Sequence, residues 1–411
     1  MPSKTGKRQF DVILYGASGF VGRQTVAYFA QHAQGIKWAL AGRSREKLEA
    51  VRAACGARAA SAGIVVAAAD DDAALGALAA QAAVVLSTAG PFALYGSALV
   101  AACVTHGTQY VDITGETPWV RGLIDRHHAQ AAKKGARIIP FCGFDSVPSD
   151  LGAWLVAQAL KQQHGEACVS VKACFSLKGG VNGGTLASMF NAMNSGQIKL
   201  LADPFLLNPE GRRPEDASTH ADPVSAHRDA DFNAWVGPFF MGPINTRVVR
   251  RSAALLSGRG KAKLYAPDFH YQEYLRFGRG AAAAVAAAGM SMGMALGQEA
   301  MRFKPGRRLA QALAPAPGSG PSERSMDRGS FRCELVGRGE RGSVVRGRIA
   351  GKGDPGNRAT TIFVCEAALA LACDIDALPV GGGVLTPAAA LGLVYARRLA
   401  AAGITIEPSG S

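Results

Sequence analysis

The chain reads as an α/β protein in which a doubly wound parallel sheet is followed by a second, α+β domain. Three observations predict this. At 411 residues the chain exceeds one compact core, so about two domains are expected. From residue 10 to residue 141, short apolar runs alternate with helical stretches, the pattern of a parallel sheet with right-handed crossovers. Further along, 332–336 and 344–349 flank a Gly/Arg-rich turn, as in an antiparallel hairpin.

Taken in order, Phe10–Tyr15 (FDVILY) is an apolar run suited to a strand buried on both faces. Gly16 ends it, and a helix is expected over 20–34, closed by Gly35. Strands are expected over 38–41, 64–69, 84–88, 110–113 and 137–141. Asp71 or Asp72 caps the helix after the third strand. Helices ending at Gly107 and Gly135 fill the remaining gaps.

The first strand-to-helix turn, 16–22, reads GASGFVG, with glycine at every third position. Gly16 permits the sharp turn, Gly19 lets the backbone approach a pyrophosphate, and Gly22 lets the helix pack on the strand. The helix N-terminus adds N–H donors and a positive dipole end. Ser18, Phe20 and Val21 complete the expected contacts of this turn. A glycine triplet alone is a weak signal; between a strand and a helix, within six alternating elements, it marks a Rossmann-like, dinucleotide-binding domain.

The end of the second strand selects the dinucleotide. NAD enzymes carry an acid there for the ribose 2′-hydroxyl. This chain reads AGRSR over 41–45, with no acid before Glu46. Arg43 offers a planar fork to a 2′-phosphate, with Ser44 and Lys47 beside it. Asp70, just past the third strand, is placed to meet the adenine. The expected cofactor is NADPH. Short-chain dehydrogenase chemistry needs Tyr-x-x-x-Lys, and no tyrosine here has lysine four residues later.

The formal charge of +14 reflects abundant arginine, or attraction to something anionic: cofactor phosphates, an acidic carrier protein or a lipid surface. Nucleic acid is not an expected partner, because aromatic interleaving, zinc spacing and basic helices are all missing. Eight cysteines without a Cys-x-x-Cys pair suit a reducing compartment. The start, MPSKTGKRQF, is charged without an apolar core, so a signal peptide is not expected. A cytoplasmic location follows, with peripheral attachment at the inner membrane face left open.

Together GASGFVG, AGRS, the loop Thr88-Ala89-Gly90-Pro91-Phe92 and above all GFDSVPSDLG (143–152) resemble the saccharopine dehydrogenase-like oxidoreductases. More narrowly they resemble the bacterial trans-acting enoyl reductase branch. GGTLAS (183–188), RVVRRSAALL (247–256), GDPG (353–356) and GGVLTPAAALG (382–392) carry the resemblance nearly end to end. Asn357 departs from it, standing where an aromatic is expected. The resemblance implies a saccharopine-reductase-like architecture: an NADP-binding domain over 8–155 completed by C-terminal helices over 358–405, and a substrate or dimerisation domain over 156–357. It further implies reduction of the double bond of an enoyl-thioester lipid or polyketide intermediate, free or carrier-bound; a homodimer is left open. It does not imply saccharopine as substrate.

In the second domain a strand is expected over 169–175, and helices over Thr360–Cys373 and 387–402. The polar stretch 209–231 reads as a mobile loop or lid, and the Pro/Gly/Ser-rich 313–328 as flexible. The uncharged run 281–297 (AAAAVAAAGMSMGMALG) has basic flanks. It reads first as a buried helix, with a helix lining a lipid tunnel or lying on a membrane as alternatives.

Ligands of doubly wound sheets sit beyond the carboxyl ends of the strands. The loops at 88–92, 114–116 and 142–150 therefore face the nicotinamide. Gly90 and Pro91 shape a backbone close to the cofactor, or make an ordinary turn. Asp145 and Ser146, before Pro148, are the candidate catalytic residues, with helix capping as the competing role. Ser149 and Asp150 read as caps. Glu116 orients substrate or begins the next helix. His127 and His128 are expected to face solvent, and no spacing suggests a metal. Two other functions stay open: NADPH-dependent reduction of an imine or ketone, and a non-catalytic NADPH-binding protein on lipid surfaces.

Overall fold

The computed structural model describes residues 8–179, 198–214, 216–257, 263–303, 305–306 and 320–409. The GGTLAS motif and residues 313–319 lie outside them.

Six strands form most of the first sheet: β1 (Phe10–Tyr15), β2 (Trp38–Gly42), β3 (Gly63–Val66), β4 (Ala82–Ser87), β5 (Gln109–Asp112) and β6 (Arg137–Ile139). A short C-terminal strand, β13 (Gly383–Val384), joins its edge. The order is β13-β6-β5-β4-β1-β2-β3, every pairing parallel. Successive strands move to opposite sides of β1, so a crevice opens between the loops after β1 and β4.

Alternation along the strands separates two cores. Ile13, Val85, Tyr110 and Ile138 pack with Leu75, Leu78, Leu99, Val120 and Leu123 of three helices on one face. Val12, Leu14, Val84, Leu86 and Val111 pack on the other with Val26 and Phe29 of helix Phe20–His32. Phe363 and Val364 of helix Thr360–Cys373 complete that second face. Fully buried strands like these need apolar residues on both faces, which explains the near-continuous runs.

The second sheet is mixed. It comprises β7 (Cys168–Lys178), β8 (His227–Asp229), β9 (Ala234–Pro238), β10 (Tyr265–Gly278), β11 (Ser330–Gly339), β12 (Val344–Lys352) and β14 (Thr405–Ser409). Their order is β14-β12-β11-β7-β10-β9-β8, and only β7 and β10 run parallel. Helix Val147–His164 lies across it, with Leu151, Val156 and Leu160 against Leu335, Val345 and Ile349. A Cβ at Gly337 would stand 2.2 Å from Val156, so the sheet needs glycine there for the helix to seat.

Several expectations change. The first helix ends at His32, short of residue 34. Strands three and six are shorter than expected, because their last residues turn into the loops. The stretch 209–231 is not without structure: Ala217–His220 forms a 3-10 turn and β8 pairs with β9. Arg250, buried on helix Gly242–Leu256, donates to the carbonyls of Pro204 and His220 at 2.9 and 2.8 Å, and Arg247 pairs with Asp222. The apolar run extends to helix Ala281–Arg302 and is not buried all round. Ala283 and Ala287 are buried, while Val285, Met292 and Leu296 are exposed. Among the described residues no helix is long and apolar enough to cross a membrane.

Candidate active site

At the glycine turn, Gly16 takes φ +83°, and the amides of Gly16 and Ala17 donate to the Ala41 carbonyl at 3.0 and 3.2 Å. A Cβ on Gly16 would lie 2.9 Å from the Ala89 nitrogen, so the turn and the loop after β4 touch through backbone. On Gly22 it would lie 2.1 Å from the Gly16 carbonyl oxygen; Gly22 thus seats the helix against the turn itself. At Gly19 a Cβ would meet only that same carbonyl, at 3.2 Å. Helix Phe20–His32 has no side-chain cap and no acid in its first turn, which leaves its N-terminal amides to an anion. Val21 is buried beneath the turn, and the Ser18 carbonyl accepts from Arg23.

Arg43 is exposed at the end of β2, with no described residue bonded to its guanidinium. Ser44 caps helix Arg45–Ala54, its hydroxyl accepting the Lys47 amide at 3.4 Å. The exposed Lys47 side chain leaves that helix's first turn. Burial raises the Tyr15 phenol; Asp70 raises it further and Arg43 lowers it, so both charges stand near that ring at the end of β1. Asp71 caps the following helix, at the Ala74 amide.

Thr88 links the loops after β1 and β4. Its amide donates to the Tyr15 carbonyl at 2.9 Å, and its hydroxyl lies 3.3 Å from the carbonyls of Tyr15 and Gly16. Ala89, Gly90 and Pro91 follow, the Gly90–Pro91 peptide being cis. Glu116, 5% exposed, accepts the amides of Phe92 and Ala93, capping helix Phe92–Tyr95. It also stands at the N-cap position of helix Thr117–Lys134, where its carbonyl accepts the Val120 amide but its side chain makes no capping bond. Asp112, at the end of β5, accepts from the Tyr110 hydroxyl and the amides of Thr114 and Phe141, and burial pushes its carboxyl up to about 7.

The loop after β6 carries GFDSVPSDLG. The Phe144 amide donates to the Thr360 hydroxyl at 3.1 Å. Ser146 is buried and donates to Asn245 Oδ1 at 3.2 Å, so its hydroxyl faces the second domain and not the open cleft. Ser149 donates to Glu273 at 2.7 Å. Asp150 accepts from Ser252 and from the Ala388 amide, the latter at 2.8 Å. Neither caps its own helix; both fasten it to remote elements, and burial raises the Asp150 carboxyl to about 7. Asp145 differs from every acid around it. Half-buried, it has no hydrogen-bond partner among the described residues, and desolvation raises its carboxyl to about 6.

Asn245 and Glu273 escaped sequence analysis, since a lone Asn in a helix and a lone Glu in a strand carry no motif. Asn357, the departure from the family pattern, is buried and donates to Asp354 at 2.5 Å, so a polar bond stands where an aromatic was expected. His128 is half-buried, its Nδ1 3.2 Å from the Val384 nitrogen, and does not simply face solvent. Ligand atoms of His220, Asp268 and His270 come within 4.8 Å of one another, the fold bringing His220 to a pair that stands two residues apart on β10; the two imidazoles stack at 3.8 Å. Two cavities of about 810 Å³ lie at the ends of β7, β11 and β12 and along the outer side of helix Phe20–His32. Gly16, Arg43, Thr88 and Asp145 line neither of them.

Comparison with known proteins agrees with this geometry. Residues 12–139 match the saccharopine dehydrogenase NADP binding domain. Over 420 residues the chain is 38% identical to a trans-acting enoyl reductase of Mycobacterium ulcerans, covering 98% of each. The chain belongs to the trans-acting enoyl reductase family. Rv2449c of Mycobacterium tuberculosis, named as a candidate enzyme of that kind, is 40% identical over 414 residues, 97% of each chain. A solved structure of yeast saccharopine dehydrogenase (L-Glu forming) aligns over 98% of this chain and 100% of its own, at 12% identity and a TM-score of 0.47. The protein is an NADP-dependent oxidoreductase, and its Rossmann-like domain takes NADPH.

Proposed function

We propose that this oxidoreductase reduces the carbon–carbon double bond of an enoyl thioester at the mouth of the crevice between the loops after β1 and β4. The observation that supports this most is the Asp145 carboxyl, which has no partner among the described residues and lies on the loop after β6, at the same carboxyl-end side of the parallel sheet as the glycine turn. Glu116, Asp112 and Asp150, the acids of the other strand-end loops and of the following helix, are all committed to structural hydrogen bonds.

Residues 16–22 would hold the pyrophosphate, Arg43 with Ser44 and Lys47 the 2′-phosphate, Asp70 the adenine edge, and Thr88 to Pro91 the nicotinamide side. The turn fits that group: Gly16 and Gly22 have no room for a Cβ, Gly19 faces only a carbonyl oxygen, and an uncapped helix N-terminus points at it. Bound there, NADPH supplies hydride, which an enoyl thioester accepts at its β-carbon. Asp145 holds a proton at its carboxyl oxygen and gives it to the α-carbon, then takes another from water. A carboxyl raised to about 6 remains partly protonated near neutrality, as a general acid requires. Ser146 would act by holding this turn.

A long acyl substrate also gives meaning to helix Ala281–Arg302. Its outward Val285, Met292 and Leu296 are 73, 66 and 64% exposed, and Arg279 stands before it. We propose peripheral contact with an anionic lipid surface through this helix.

The testing experiment is single-turnover NADPH consumption against enoyl thioesters, imines and ketones, with mass analysis of the product. A gain of two hydrogens across the double bond is expected. Turnover of an imine or ketone alone would move the enzyme to that class. Tight NADPH binding with no turnover at all would favour a non-catalytic role.

A further inference from the structure

We propose that Glu273 is a positioning residue for the reaction, fixing the Ser146 hydroxyl through Asn245 and with it the turn that carries Asp145. This rests on Asp145 being the proton donor.

Glu273 lies on β10, wholly buried, far in sequence from the loop it serves. Its Oε1 accepts from Asn245 Nδ2 at 2.8 Å. Its Oε2 accepts from the hydroxyls of Ser149 at 2.7 Å and Tyr271 at 2.8 Å. An ionised carboxylate only accepts, so Asn245 must turn its NH₂ toward Glu273 and its carbonyl toward Ser146. The Ser146 hydroxyl is thereby made the donor of the next bond, at 3.2 Å. On the other side of Asp145, Thr360 holds the Phe144 amide. Asp145 sits between two pinned residues while its own carboxyl has no bond to any described residue.

An apolar side chain of similar volume would escape the desolvation penalty of a buried ion, but it would strand the three donors that meet this carboxylate. What the carboxylate adds is direction. Burial raises Glu273 to about 7. Asp222 raises it further, while the three hydrogen bonds oppose the rise. Arg250 of helix Gly242–Leu256 and Cys333 of β11 also lie within electrostatic reach, and Tyr271 stands on its own strand.

The test compares Glu273→Gln, Asn245→Leu, Ser146→Ala and Asp145→Asn in the full-length protein. Tyr271→Phe serves as control, removing one donor to the same carboxylate but leaving the Asn245 arm. The readouts are NADPH affinity by fluorescence, kcat and KM with trans-2-dodecenoyl-CoA, and carboxyl titration by ¹³C NMR. In Glu273→Gln, Asn245→Leu and Ser146→Ala, kcat should fall at least roughly tenfold, with KM and NADPH affinity within about threefold of the parent. The Asp145 titration should drop about one unit or more toward the ordinary carboxylate range, as the loosened turn admits water. Tyr271→Phe should stay within about threefold in all. An unfolded Glu273→Gln leaves the test to Asn245→Leu and Ser146→Ala, which keep the carboxylate. If the parent enzyme leaves trans-2-dodecenoyl-CoA unreduced, the Asp145 titration decides alone. Unchanged kcat and unchanged Asp145 titration in folded Asn245→Leu would overturn the proposal. Full activity of Asp145→Asn would instead remove the proton-donor role on which it rests.

Discussion

The Glu116 carboxylate accepts the Phe92 amide at 2.7 Å, tying the loop after β5 to the loop after β4 across the candidate site. The second carboxylate oxygen takes the Ala93 amide at 3.0 Å, so one side chain caps a helix remote from its own. Asp150 treats Ala388 likewise. These acids set the relative positions of the strand-end loops. Glu116→Ala leaves two amides short of a partner, at a cost of about 1–3 kcal/mol. It should lower Tm in differential scanning fluorimetry and weaken NADPH binding several-fold. Normal NADPH affinity in a destabilised Glu116→Ala would show that this loop does not meet the cofactor.

Arg43 carries the choice of cofactor. Its loss should cost about 1.5–3 kcal/mol of NADPH affinity, the worth of a charge-assisted hydrogen bond. NADH affinity should barely change in Arg43→Ala, and the difference between cofactors should nearly vanish. Fluorescence titration of both cofactors measures this, and equal affinities in the parent protein would sink the assignment.

Two glycines of one turn should behave differently. Alanine at 22 drives a methyl to 2.1 Å from the Gly16 carbonyl oxygen, and backbone must move. Gly22→Ala should therefore unfold or strongly destabilise the first domain. Alanine at 19 meets only a carbonyl at 3.2 Å, so Gly19→Ala should fold with a nearly normal Tm and yet lose most NADPH affinity. Circular dichroism melts with and without NADPH distinguish the two, and a Gly19→Ala that binds NADPH normally would place the pyrophosphate elsewhere.

The first sheet was legible because its strands are buried on both faces and its turns carry glycine. Phe10–Tyr15 declares itself as an apolar run. β13 was not legible, because Gly383 and Val384 hold their place by pairing with Arg137 and Ile138, which are far away in sequence. In the second sheet β8 lies among polar residues, and only its pairing with β9 makes it a strand. The glycine turn could be read residue by residue since local backbone geometry is its whole function. Ser146, Ser149 and Asp150 could not, because a cap and a long-range bond use the same residue types. Only the fold brings Asn245, Glu273, Ser252 and Ala388 to them.

The exposed side of helix Ala281–Arg302 predicts salt-sensitive lipid contact. Vesicles containing anionic lipid should retain the protein at low salt and release it as ionic strength rises. Met292→Glu with Leu296→Glu should abolish retention and leave NADPH binding intact, as both side chains point away from the sheet. Sedimentation with vesicles reads this directly. Retention of the double variant equal to that of the parent would dismiss the helix as the contact.

Asp145 yields the sharpest prediction, because its two roles pull in opposite directions. Its carboxyl is raised to about 6 in the fold by desolvation, above the unfolded value of about 3.9. Between those values the native state binds more protons than the unfolded chain, so stability falls as pH rises. The favourable contribution is complete below the unfolded pKa and is lost as pH passes through about 6. Asp145→Asn cannot ionise. It should match the parent in Tm near pH 4 and exceed it at pH 8, by about 1–2 kcal/mol once the partial solvent access of the site is discounted. Catalysis should move the other way: kcat of Asp145→Asn should drop by about 10²-fold or more, within the usual worth of a general acid. In the parent, the fraction of Asp145 holding a proton declines above about pH 6, so kcat should decline on the alkaline side while NADPH affinity stays level. Paired melts and pH–rate profiles of parent and Asp145→Asn supply both halves. A variant that gained stability at pH 8 but kept full kcat would leave Asp145 a buried carboxylate without a part in proton transfer.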